Sequence, residues 1–294
     1  MPHTIEEAVQ WLNHYEGRAQ VIGGGTDLLL EIQQGLRPAV EAMVDPSRIT
    51  GLDHITMDDE HITIGCAVTH TQIVNDEDII RHGTCLVEAC GVIGGPQVRN
   101  VATLAGNVAH ALPAGDGTLG LLALGGEFEV ADIHGSRWMA LREAFLGPGK
   151  SAIDHHRAML TRLRFRPTGP REASAFTRVM RPQGVALPMI AMAVRLQLDD
   201  SDIITAARIS LGPAGPVPYL AEAAMELLTG RAATTEQFDK AAEAVLDSVT
   251  LRTSKYRASQ EYRVQMIRTQ LPLILARTAK RARSNHAVPE GVGR

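Results

Sequence analysis

Five consecutive residues, Gly23-Gly24-Gly25-Thr26-Asp27, offer the plainest chemistry in the chain. They stand between two apolar runs, Ala19 to Ile22 and Leu28-Leu29-Leu30. Read as strand, turn and helix, the segment exposes backbone N–H groups with no Cβ in the way and a helix N-terminus behind them. Such a nest suits a phosphate or pyrophosphate. It is not the Gly-x-Gly-x-x-Gly fingerprint, because Leu28 stands where the third glycine belongs, nor a P-loop, because no Gly-Lys-Ser/Thr follows. Asp27 would repel a phosphate that it faced; its first-turn position suits the helix dipole instead. A second segment, Gly94 to Gly117, is long, weakly periodic and dense in small residues, and a loop of that length inside a compact domain is usually functional. Thr103 and Asn107 can donate hydrogen bonds to an anion or a heterocycle, and Asp116 can accept from sugar hydroxyls. Two such turns could grip a dinucleotide from both sides. The blander alternatives are a ligand-free strand-to-helix turn for the first and a tightly packed connector for the second.

The elements around these segments follow from pattern and punctuation. Thr4 and Glu7 form a capping box for a first helix with Ala8, Trp11 and Leu12 as its apolar stripe and Gly17 as its stop. Thr26 reads as the N-cap of a helix from Asp27 to about Gln34, and Val40 to Val44 as the next strand. The strand His61 to Ile64 is followed by Thr69 and a helix, then by a helix from Ile79 to Cys90. Thr118 caps a short apolar helix, Leu119 to Leu124; Phe128, Val130 and Ile133 alternate as a strand before a turn at His134-Gly135; Met159 to Phe165 is a further strand. Beyond Arg171, Ile190–Leu198 and Ile203–Leu211 read as a hairpin around Asp199–Asp202. Helices follow at Tyr219–Leu228, Thr235–Ser248 and Ser259–Arg281, and then a frayed tail.

Composition removes several classes of function. With 45% hydrophobic and 21% charged residues the chain is an ordinary globular one, and its 294 residues fit two domains better than one core. A net charge of −4 with no basic stripe argues against a nucleic-acid binder. No apolar run approaches the ~20 residues of a membrane span, and the acidic start is no targeting segment, so a cytoplasmic protein is expected. The three cysteines, Cys66, Cys85 and Cys90, form no Cys-x-x-Cys pair and speak against an iron–sulfur cluster in this chain; they read as small buried hydrophobes. His155-His156 and the other histidines lack metal-ligand spacing and read as solvated or capping. Arg252, Lys255, Tyr256, Arg257, Arg263 and Arg268 make the late helices basic, which fits a solvated face or a contact with an acidic partner.

Taken together, Ile22-Gly23-Gly24-Gly25-Thr26-Asp27-Leu28, Val98-Arg99-Asn100 through Asn107, then Pro113 and Asp116, resemble the FAD-binding subunit of molybdenum hydroxylases: the medium subunit of carbon monoxide dehydrogenases and the flavin domain of xanthine dehydrogenases. The resemblance continues through Ser174-Ala175-Phe176-Thr177-Arg178, Leu211-Gly212-Pro213-Ala214-Gly215-Pro216-Val217-Pro218 and Tyr256-Arg257-Ala258-Ser259-Gln260-Glu261-Tyr262-Arg263, and so covers residues 1 to about 280 in the family's order. It departs at Ala105, where a glycine is usual, at Leu104, Leu112 and Gly115, and at Arg178, where a lysine is common. Residues Gly149 to Arg157 also differ from the usual linker.

The resemblance implies an α+β fold. Residues 1–168 would form an FAD-binding domain of the PCMH type, with subdomains of about 1–50 and 51–168. Residues 171–281 would form a C-terminal α+β domain with a small antiparallel sheet and helices, and 282–294 a flexible tail. It implies that Ile22 and Gly23 to Asp27 lie against the FAD pyrophosphate, and that Thr103, Leu104, Ala105, Gly106 and Asn107 hold the second side. Asp116 would bind ribityl or ribose hydroxyls, Ile93 and Leu160 would touch the isoalloxazine ring, and Arg178 would sit near its pyrimidine edge, where a cation favours the reduced flavin. Core packing is the alternative for Ile93 and Leu160, and a surface ion pair for Arg178. In the family a molybdenum-binding large subunit oxidises the substrate. Electrons pass through a small subunit with two iron–sulfur clusters to FAD and on to NAD⁺, a quinone, oxygen or another carrier. No residue here reads as an acid–base catalyst. The rival readings are a stand-alone FAD oxidoreductase and a scaffold subunit without flavin.

Overall fold

In the computed structural model the described residues are 1–181, 187–254 and 257–292; Lys255 and Tyr256 of the basic stretch lie outside them. The chain opens with α1 (Ile5–His14), β1 (Ala19–Val21), α2 (Leu28–Gln33) and β2 (Ala42–Val44). β1 and β2 form a two-stranded parallel pair. Then come β3 (Ile55–Met57), β4 (Ile62–Gly65), α3 (His70–Asn75), α4 (Glu77–His82), α5 (Thr84–Gly91), α6 (Pro96–Arg99), α7 (Leu104–Ala109) and α8 (Asp116–Ala123). The strands β5 (Glu127–Asp132), β6 (Gly135–Ala140), β7 (Phe145–Gly147), β8 (Lys150–Ser151) and β9 (Met159–Phe165) follow. An antiparallel sheet in the order β3-β4-β9-β5-β6 organises this part, and β7 and β8 form a small hairpin. Phe128, Phe165, Ile62, Ile64, Leu86 and Leu119 are fully buried in one core, each worth about 1.5–3 kcal/mol of burial.

The remainder is a second sheet, β10 (Glu172–Val179), β11 (Ile190–Leu198), β12 (Ile204–Gly212) and β13 (Tyr219–Leu220), followed by α9 (Glu222–Leu228), α10 (Thr235–Ser248) and α11 (Gln260–Ser284). β11 is buried on both faces. Its Ala191 and Ala193 join the first core, while Ile190, Met192, Val194 and Leu196 join a second core with α9, α10 and α11. The small side chains on one face let α5 and α8 lie close against the sheet; Ser210 donates to the Leu119 carbonyl at 2.7 Å.

Several local expectations change. Trp11 is 36% exposed, and Val9 completes the buried stripe of α1 with Ala8 and Leu12. Thr4 does cap α1, but the Glu7 carboxylate accepts from His3 N–H instead of closing the box on Thr4. Asp27, not Thr26, sits at the N-cap of α2, without a side-chain cap bond. The helix expected from Ile79 to Cys90 is two, divided at Gly83, whose φ −133° and ψ 39° are not helical and where a Cβ would stand 2.8 Å from Phe165 Cζ; Asp76 caps the first piece. The long stretch from Gly94 contains α6 and α7, and α8 begins at Asp116. Thr118 is therefore inside α8, its N–H and hydroxyl both donating to Asn107 Oδ1 at 2.9 and 3.0 Å. β6 and β10 were not expected as strands, and Tyr219–Leu220 pairs with β12 instead of opening a helix. The last described residues lie on the first domain: Glu290 N–H donates to Glu88 at 2.8 Å. Among the described residues no helix is long and apolar enough to cross a membrane.

Candidate functional site

The two glycine-bearing segments meet. Ile22 N–H donates to Val44 and ends the β1–β2 pairing; after it, no backbone N–H from Gly23 to Asp27 finds an acceptor among the described residues. Gly25 has φ +69°, a conformation glycine adopts without strain. A Cβ at Gly24 would stand 2.0 Å from the Val101 carbonyl oxygen, and one at Gly23 would stand 2.9 Å from Thr103 Oγ1. The glycines therefore allow backbone to lie on backbone, and the first turn rests on residues 101–103.

The second segment is held rigidly beneath it. Thr103 caps α7, its hydroxyl accepting from Gly106 N–H at 3.0 Å, while His70 N–H donates to the Ala102 carbonyl. Ala105 lies within α7 and is buried, and its backbone is not in the positive-φ region, so the missing glycine costs the loop nothing there. Asn107 spends its carbonyl on α8, and Gly115 and Gly117 close around it. Asp116 follows at the start of α8. Its Oδ2 meets Arg178 Nη1 from β10 at 2.7 Å, with the two side chains only 5% and 9% exposed. Asp116 Oδ1 and Arg178 Nε are buried without a partner. Burial pushes the Asp116 carboxyl up to about 6, against the opposing pull of Arg178.

Sequence reasoning missed this pairing, because 62 residues and two sheets separate the partners and no spacing rule joins them. It also missed the histidines around the site. His110 Nε2 lies 2.9 Å from Glu31 Oε1 and ties α2 to the end of α7; Arg37 also binds Glu31. Burial raises the Glu31 carboxyl, but hydrogen bonds from His110 and Arg37 outweigh it and hold it low. His155 and His156 are not solvated: their rings bond the Ala109 and Ala19 carbonyls at 3.2 and 2.6 Å, bracing both segments from behind. Deeper still, His70 Nδ1 is 3.3 Å from Cys90 Sγ. Burial, aided by Arg99, lowers His70 to about 4, and burial raises the Cys90 thiol. All three cysteines are buried and free, and no metal-binding cluster occurs among the described residues.

The remaining predicted positions divide. Ile22 and Ile93 are half-buried near the turns, and the Ile93 carbonyl accepts from Arg99 at 3.2 Å. Leu160 is 5% exposed on β9, paired with Val130 in the first core. Arg178 is no surface residue.

Known proteins align with this architecture over nearly its whole length. Residues 1–166 match the family described as the FAD binding domain in molybdopterin dehydrogenase, and residues 174–276 the CO dehydrogenase flavoprotein C-terminal domain. The chain is 30% identical over 252 residues to the nicotinate dehydrogenase FAD-subunit of Eubacterium barkeri, covering 84% of each. It is 28% identical over 276 residues to the xanthine dehydrogenase FAD-binding subunit of Escherichia coli O157:H7, covering 93% of this chain and 92% of that one. Among solved structures, a chain of reconstituted CO dehydrogenase from Oligotropha carboxidovorans superposes with a TM-score of 0.86 at 26% identity, over 97% of this chain and 96% of that one. This chain thus belongs to the FAD-binding subunits of the molybdopterin dehydrogenase family, and with them to the oxidoreductases.

Proposed function

We propose that the chain is the electron-transfer flavoprotein of a heterotrimeric molybdenum hydroxylase in the cytoplasm. It would stand between the iron–sulfur clusters of a small subunit and an external acceptor, with a molybdenum-binding large subunit doing the substrate chemistry. One observation carries this reading. The N–H groups of Gly23 to Asp27 are unspent, and they lie on a second segment whose buried Asp116 keeps one oxygen free. The donor set fits FAD: backbone N–H groups for the pyrophosphate and a carboxylate oxygen for a hydroxyl.

In this reading Ile22 to Asp27 hold the pyrophosphate, and Thr103, Leu104, Ala105, Gly106 and Asn107 hold the second side, with the Asn107 amide N–H₂ left to donate. Asp116 takes a ribityl or ribose hydroxyl through Oδ1. Ile93 and Leu160 supply apolar contact, and Arg178 brings positive charge toward the pyrimidine edge. Bound FAD supplies one- and two-electron redox chemistry. The chain's own work is to bind, orient and set charge; none of its residues serves as a general acid or base for a substrate.

The test is purification of the native complex. Flavin absorbance at one FAD per chain, with a molybdenum subunit and an iron–sulfur subunit co-purifying, is the expected result. A lone chain that turns over a substrate fully would overturn the assignment, and a chain without flavin would overturn the site.

A further inference from the structure

Among the polar groups at the seam, the Asp116–Arg178 pair is the unusual one. The guanidinium reaches α8 from β10 across the boundary between the two sheets, and it gives Asp116 one nitrogen while its Nε bonds to nothing. Arg178 Nη2 points instead to Met180 Sδ at 3.0 Å, a weak acceptor. Arginine–carboxylate pairs are frequently two-pronged, and at the Glu88–Arg281 pair both carboxylate oxygens find a donor. Here one oxygen and one N–H stay open in a buried place.

We propose that Asp116 is a positioning residue that fixes Arg178 beside the cofactor cleft and cancels its charge, so that the pair and not the arginine alone sets the redox potential of bound FAD. The inference rests on the FAD site assigned above. Reduction of the ring by two electrons and one proton leaves one extra negative charge on it, and an uncancelled cation nearby favours that state. The ionised pair is electrically neutral, so its partners pull in opposite directions.

The experiment is a dithionite titration of the purified native complex and its variants at pH 8, read by flavin absorbance and preceded by a measurement of FAD content. Asp116→Asn is expected to move the potential positive, and Arg178→Gln negative. The double variant is expected to return close to the wild-type potential, because it removes one charge of each sign. An unchanged potential in Asp116→Asn, or a double variant displaced from wild type as far as either single variant, would overturn the proposal. If Asp116→Asn loses its flavin, Arg178→Gln decides alone: a negative shift supports the pair, and no shift or a positive one refutes it. Native complex without FAD would instead refute the site on which the proposal rests.

Discussion

Two buried ion pairs join the first domain to the C-terminal one, and they are built differently. Glu88 on α5 is 1% exposed and fully used: Oε1 accepts from Arg281 at 2.7 Å and from Glu290 N–H at 2.8 Å, and Oε2 from Phe176 N–H at 2.7 Å. Arg281 spends further N–H groups on the Ser174 and Val288 carbonyls. Asp116 on α8 receives a single bond, and both it and Arg178 keep an unpartnered atom. A saturated network returns the cost of burying its charges; an unsaturated one does not, unless something outside the chain completes it. The first pair is a latch between domains; the second, in the function proposed above, belongs to a binding site.

That contrast can be broken. Glu88→Ala leaves Arg281 buried with only Glu290 Oε1, 3.4 Å away, as a carboxylate partner, and is expected to cost roughly 3–5 kcal/mol, measured by denaturant unfolding. Gly24→Ala attacks the other side of the seam: its methyl group must displace the Val101 carbonyl, which is expected to cost about 1–3 kcal/mol and to lower flavin content. Asp116→Asn removes an ionised carboxylate from a buried place as well as a partner from Arg178. Its net effect on stability is expected to stay within about 1 kcal/mol at pH 8, and a cost equal to that of Glu88→Ala would erase the distinction. The smallest effect is expected from Arg268→Ala, whose ion pair with Glu243 is about half exposed; such pairs are worth about 0–1 kcal/mol.

Acidity sharpens the same contrast. Asp116 is raised from 3.8 to about 6, so its contribution to stability is complete below 3.8 and is lost as pH rises through 6. His70 is lowered from 6.5 to about 4, so its contribution is complete above 6.5 and is lost as pH falls through 4. The two slopes oppose each other between about pH 4 and 6. Asp116→Asn should therefore uncover a stability that rises with pH across that range, and His70→Gln one that falls, both visible in melting temperatures. Parallel profiles for the two variants would show that these groups do not titrate as their surroundings imply.

Much of this was readable from the sequence because local rules dominate there. The periodicity of α10 and the alternation of β9 sit where expected, and the turn at Gly23 to Asp27 announces itself by composition. What stayed hidden depends on contacts distant in sequence. Gly83, where two helices divide, packs against Phe165 from 82 residues away and leaves no room for a Cβ. Thr118 lies inside a helix because Asn107 supplies the acceptor from 11 residues away. Glu88 lies in a helix whose every residue is buried, and its partners Phe176, Arg281 and Glu290 all come from far along the chain. Arg178 carried a sequence signal for charge at the site, but none for the carboxylate that meets it.

The strand β11, with one core on each of its faces, has a consequence for how the molecule comes apart. Loss of either core strips one side of the same backbone, so the two domains should not melt in separate steps. The amides of β11 should exchange with solvent only through global opening, on the slowest timescale of the chain. A single cooperative transition, seen alike by fluorescence and by calorimetry, is its thermodynamic counterpart.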